Sequence, residues 1–140
     1  MNEISIVAKT PSVEDYCRLR VVAGLSPKSI EAVKAGLPNT LFGVTVMAGD
    51  VAVGMGRIMG DGGTAYQIID MAIDPAFQDH GLGKAVMKHL ADWLQANAPD
   101  TAYVSLIADG PADHLYSQFG FEPTAPESIG MAMLIQRDKT

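Results

Sequence analysis

Between positions 78 and 84 the chain reads Gln78-Asp79-His80-Gly81-Leu82-Gly83-Lys84. Glycines at 81 and 83 let a ligand come close to the backbone, because neither carries a Cβ. The amphipathic helix expected to start here would point free amide N–H groups and its positive dipole end at that place, an arrangement suited to an anion such as a diphosphate. Lys84 adds a positive charge at the rim. From the glycines alone, a helix start with no ligand is an equally good reading. Neither common nucleotide motif fits: a dinucleotide fingerprint needs G-x-G-x-x-G near the first strand of a βαβ unit, and a Walker loop needs four residues between its first glycine and G-K-S/T. Just upstream, Asp70 is a lone carboxylate in the apolar run Ile68 to Ile73.

Other reactive side chains read more blandly. Cys17 is the one cysteine, which excludes an intramolecular disulfide and any zinc site built on two thiolates, and it reads as a small core residue rather than a nucleophile. His80, His89 and His114 show no metal-ligand spacing, so no metal is expected. The net charge of -6 argues against a nucleic-acid partner, which would call for a basic face. No apolar run reaches the length of a membrane span, and the first residues do not form a basic segment followed by an apolar one, so the expectation is a cytoplasmic protein without a membrane partner.

These residues need a scaffold, and 140 residues without a Gly/Ser/Pro linker or a repeat suggest one domain, 1–140. Ile4 to Val7 alternates as a strand. Ser12 caps a helix that stops near Gly24, and Ser26-Pro27 suits the start of a second, closed by Gly36 ahead of Pro38. Leu41 to Met47, Val51 to Met59 and Ala65 to Ile73 read as an antiparallel meander with turns at Gly49-Asp50 and Gly60 to Gly63. Leu82, Val86, Leu90, Trp93 and Leu94 then share one helical face, in a helix running to about Ala98. Ala102 to Ile107 is a strand, Pro111 to Phe119 a short helix, and Gly130 to Gln136 a last strand. The fold class is α/β in the α+β sense, a mixed central sheet flanked by helices.

In that setting, Ile69 to Lys84 closely resembles the acetyl-CoA-binding signature of the GCN5-related N-acetyltransferase (GNAT) family: a strand, a D-P turn, Q/R-x-x-G-x-G/A and a helix. A second segment, Asp109 to Phe121, is similar to the family's N-x-x-A-x-x-L-Y-x-x-x-G-F, with Asp109 where asparagine is common. The segments Gly54 to Asp61, Ile69-Asp70, Leu106 to Asp109 and Ile129 to Met131 are similar to the plastid serotonin or lysine N-acetyltransferase-like branch, which implies an amine acceptor without naming it.

The resemblance implies a function and roles. Acetyl-CoA would be the acyl-donor substrate, its pyrophosphate on the amides of Gln78, Asp79, His80, Gly81, Leu82, Gly83 and Lys84. Its pantetheine and thioester carbonyl would lie along the backbone of Met71, Ala72 and Ile73, in a splay between the fourth and fifth strands, and Asp109 would lie by the pantetheine arm. Tyr116 matches the tyrosine that protonates the leaving thiolate, with a core tyrosine as the alternative. Asp70, two residues before Ala72 and on its face by alternation, is open to three roles: general base, anchor for the substrate amine, or satisfied structural acid. Gln67 stands where protein-lysine members carry a glutamate base, and an amide cannot fill that role. Met55, Met59, Met71, Met131 and Met133 read either as core or as an adaptable acceptor cleft. The expected reaction moves an acetyl group to a primary amine of a small molecule. A protein lysine or N-terminus as acceptor, or a non-catalytic acyl-CoA sensor, are the alternatives. Small members of the family often pair through terminal strands, and Met131 to Ile135 is apolar on both faces, so this strand is expected either to lie buried under helices or to join a second copy in a homodimer.

Overall fold

The computed structural model describes residues 3–109 and 112–137. They form two compact units, with the boundary between Leu106 and Ile107. The first unit holds a five-stranded sheet in the order β1-β2-β3-β4-β5 (Ile4–Val7, Phe42–Ala48, Val51–Gly60, Ala65–Ile73 and Tyr103–Ser105). All neighbours are antiparallel except β4 and β5, which run parallel. Helices cover both faces, so β2 and β3 can be apolar almost throughout instead of alternating.

One face carries α1 (Val13–Val22) and α2 (Ile30–Gly36). Tyr16 and Leu19 of α1, Val33 of α2 and Leu37 bury themselves there with Ala52, Met55 and Ala72. The other face carries α3 (Leu82–Asn97), whose buried residues Leu82, Val86, Met87, Leu90 and Leu94 recur at helical spacing. Trp93 of α3 stacks on Phe42 at 5.4 Å and meets Tyr66 edge-on at 6.3 Å. Helix α3 can come close because β3 offers it a glycine: a Cβ on Gly56 would stand 2.7 Å from both Met71 Sδ and Val86 Cγ1.

The helix signals hold with one shift. The Ser12 hydroxyl accepts the Asp15 amide at 3.1 Å, and the chain leaves α1 through Gly24 at φ 83. The second helix is capped by Ser29, not Ser26, its hydroxyl accepting the Ala32 amide at 3.1 Å. Ser26 has other partners, since its carbonyl and hydroxyl both accept from Arg20.

In the second unit, α4 spans Asp113–Ser117, shorter than expected; Gly110 and Pro111 lie outside the described residues. The strand expected over Gly130 to Gln136 is not formed there. Apolar content gave that expectation, but a strand also needs a hydrogen-bonding neighbour, and none pairs with this segment among the described residues.

Candidate active site

The segment between β4 and α3 is built by local chemistry. Asp74 closes the strand, its carboxylate accepting the Ala76 amide at 2.9 Å, and Pro75–Phe77 makes one 3-10 turn. Gln78 turns its side-chain amide back to the Ile73 carbonyl at 3.2 Å, tying the loop to the end of β4. Asp79 and Gly81 both take left-handed backbone, with φ 67 and 74. A Cβ on Gly81 would meet no atom, so glycine is favoured there by its backbone angle and not by crowding. Gly81 is the N-cap of α3 and supplies no side-chain acceptor; the first intrahelical bond runs from the Ala85 amide to the Gly81 carbonyl. The amides of Leu82, Gly83 and Lys84 therefore open the helix with no capping side chain, as an anion requires.

Strand β4 is irregular where the chemistry is expected. On the β3 side, Met55 pairs with Ala72 but Arg57 pairs with Ile69, so Asp70 and Met71 together face Gly56. This is a β-bulge, with Asp70 at φ 59, a left-handed value that aspartate tolerates better than most residues. From Asp70 onward the alternation holds, with Asp70 and Ala72 toward α1 and Met71 toward α3. On the β5 side, pairing covers Ala65 to Gln67 alone. Ile68 to Ile73 thus has no β5 partner, and this open edge contains Met71, Ala72 and Ile73.

Asp70 is the hub of a buried ion network. Its two oxygens accept from Arg20 at 2.6 Å and Arg57 at 2.7 Å, and the Tyr16 hydroxyl donates to it at 2.9 Å. The guanidinium carbons of Arg20 and Arg57 lie 5.9 and 5.7 Å from the centre of the Tyr16 ring. Burial, then the charge of Asp70, push the Tyr16 phenol above its ordinary value, so it stays a donor. Sequence reasoning did not single out Tyr16, Arg20 or Arg57. The available signal was an arginine inside the apolar strand Val51–Gly60 and an aspartate inside Ala65–Ile73, opposite charges that burial obliges to pair.

The network forms one wall of a cavity of about 380 Å³ between the sheet and helices α1 and α2, with Lys28, Val33, Leu37 and Ile69 among its other lining residues. No methionine lines it, and Met55 is core. Cys17 is half-buried against the same core.

In the second unit, Tyr116 on α4 is half-buried, its ring edge-on to Phe121 at 6.5 Å. Burial raises its phenol above the ordinary value, and the negative charge of Asp109 adds to the rise. Among the described residues no group of three or more His, Cys, Asp or Glu could hold a metal ion, and no helix is long and apolar enough to cross a membrane.

Comparison with known proteins agrees with this layout. A crystal structure of a protein of unknown function from meticillin-resistant Staphylococcus aureus, described as a probable acetyltransferase, superposes with a TM-score of 0.91 at 46% identity, over 95% of this chain and 100% of that one. A GNAT family acetyltransferase from Streptococcus pneumoniae has the same fold, with a TM-score of 0.75 at 24% identity, over 97% of this chain and 100% of that one. Among curated proteins, GCN5-related N-acetyltransferase 2, chloroplastic, of Arabidopsis thaliana is 36% identical over 55% of this chain, an aligned stretch that spans 29% of the relative. Histone acetyltransferase TAP1 of Glycine max is 35% identical over 55% of this chain and 32% of its own length. The chain thus spans about a third of the length of the curated relatives it matches. The model of the acetyltransferase (GNAT) domain matches residues 41–123, more than half the chain and all of the β4–α3 segment, and the chain belongs to the GNAT acetyltransferase family.

Proposed function

We propose that the chain is an N-acetyltransferase that moves the acetyl group of acetyl-CoA to a primary amine on a small molecule. The observation that carries this reading is the pairing of an open β4 edge at Ile68 to Ile73 with an uncapped α3 start at Gly81 to Lys84. The edge offers backbone groups to a pantetheine arm, and the helix start offers amides to a pyrophosphate. The acceptor would enter the cavity beside α1 and α2, whose size suits a small molecule.

In the reaction, the amine nitrogen attacks the thioester carbon, an amide N–H on the β4 edge steadies the oxyanion, and the C–S bond breaks. The nitrogen gives its proton to water. Tyr116, by its match to the family tyrosine, gives one to the departing thiolate. Asp70 is not the base in this account: its oxygens already accept from two guanidiniums and a phenol, so it holds Arg20 and Arg57 in place. A homodimer formed through the apolar segment Met131 to Ile135 belongs to the same proposal.

Release of free CoA thiol from acetyl-CoA, measured across a panel of amines, tests the function. Amine-dependent release is expected. Binding of acetyl-CoA without release for any amine would leave a sensor in place of an enzyme.

A further inference from the structure

The protein as a whole is acidic, with a net charge of -6, yet the cavity beside α1 and α2 is cationic. Arg20, Lys28 and Arg57 line it against a single carboxylate, Asp70. Asp70 does not consume the donors of the two arginines. Arg20 spends one N–H on Asp70 and two on the Ser26 carbonyl and hydroxyl; Arg57 spends one on Asp70, one on the Thr40 hydroxyl and a long one, 3.4 Å, on the Gly36 carbonyl. A guanidinium has more N–H groups than these bonds use. Lys28 is exposed and has no ion-pair partner among the described residues.

A cavity with three cationic groups and one saturated carboxylate repels a simple ammonium and attracts an anion. We infer that the acceptor is an amine bearing its own acidic group, a carboxylate or a phosphate, and that this group is held by Arg20, Arg57 and Lys28. The inference rests on the acetyltransferase reading and narrows its substrate class. Burial fixes the orientation of the two guanidiniums, Asp70 binds both, and each keeps N–H groups beyond those bonds that a carboxylate or phosphate in the cavity could engage. The apolar walls at Val33, Leu37 and Ile69 suit a short carbon skeleton between the acid and the amine.

The test uses the full chain, acetyl-CoA and amines in matched pairs: β-alanine with its amide, and phosphoethanolamine with ethanolamine, products read by mass spectrometry. The acid-bearing member of at least one pair should exceed its neutral partner about tenfold or more in kcat/KM, and the exposed substitution Lys28→Glu should erase most of that preference, since a hydrogen bond to a charged group is worth about tenfold or more. The pair that responds distinguishes carboxylate from phosphate. Neutral partners turned over equally well, with Lys28→Glu silent, would overturn the inference and leave the acetyltransferase reading standing. If no amine is acetylated, calorimetric titration with the same compounds decides: binding of an acid-bearing amine that Lys28→Glu abolishes supports the cationic cavity while the acetyl-transfer reading fails, and no binding overturns both.

Discussion

Asp70 carries two cations in a space with little water, and its replacement shows what that arrangement is worth. Asn at position 70 tolerates the left-handed backbone as aspartate does, so Asp70→Asn removes the charge and little else. Arg20 and Arg57 would then face each other uncompensated, and we expect a loss of about 3–5 kcal/mol, read by urea denaturation. An unchanged midpoint with a collapsed kcat would instead return Asp70 to the role of base. In the proposed reaction Tyr116 protonates the leaving thiolate: Tyr116→Phe keeps the ring against Phe121 and removes the hydroxyl, and kcat should fall by roughly 10²- to 10⁴-fold with the KM for acetyl-CoA nearly unchanged. Its phenol is raised from the ordinary value of 10.0, so the proton is present throughout the neutral range. Loss of that proton can lower the rate only as pH rises through the raised value, so any falling limb due to Tyr116 must lie on the alkaline side of the ordinary tyrosine range and vanish in the Phe variant. At this scale the sequence was legible in part. Asp70 stood out as a charge in an apolar run, but its partners come from α1 and β3, and no spacing rule links positions 20, 57 and 70.

The β4–α3 segment behaves as one element, its loop held by Asp74, Gln78 and two left-handed residues so that the start of α3 stays uncapped. Valine at position 83, in the first turn of α3, adds a branched side chain beside the amides of the proposed anion site. Gly83→Val should weaken acetyl-CoA binding roughly tenfold or more by calorimetry, the cost of one charge-assisted bond, with circular dichroism near wild type. Equal affinity would remove the anion site. Gly81→Ala is a different experiment: its Cβ meets open space, so the left-handed backbone alone should cost about 1–2 kcal/mol in thermal stability. The strands and helices up to Asn97 were readable because period and punctuation agree: apolar spacing in α3, the cap at Ser12, and turns at Gly49 and Gly60 to Gly63. Two features were not. The bulge at Asp70 and Met71 depends on pairing with β3, invisible in a single strand. Capping by Ser29 instead of Ser26 depends on Arg20 engaging Ser26 from the preceding helix.

At the scale of the whole molecule, Met131, Met133, Leu134 and Ile135 are 86%, 83%, 67% and 58% exposed, and among the described residues this apolar segment pairs with no strand. Pairing with a second copy would satisfy both its backbone and its side chains, and light scattering should give a dimer mass at micromolar concentration. A monomer mass at every concentration would withdraw the dimer and leave the reaction untouched. The central claim is the reaction itself: the open edge of β4 and the start of α3 hold acetyl-CoA so that its acetyl group passes to a nitrogen. The direct measurement supplies acetyl-CoA labelled in the acetyl group together with an acid-bearing amine panel, and follows the label by mass spectrometry. The account predicts that label appears in an amide on one of the amines, at a rate that depends on Tyr116. Label that stays on CoA while the protein binds it, or that emerges only as free acetate, would contradict it.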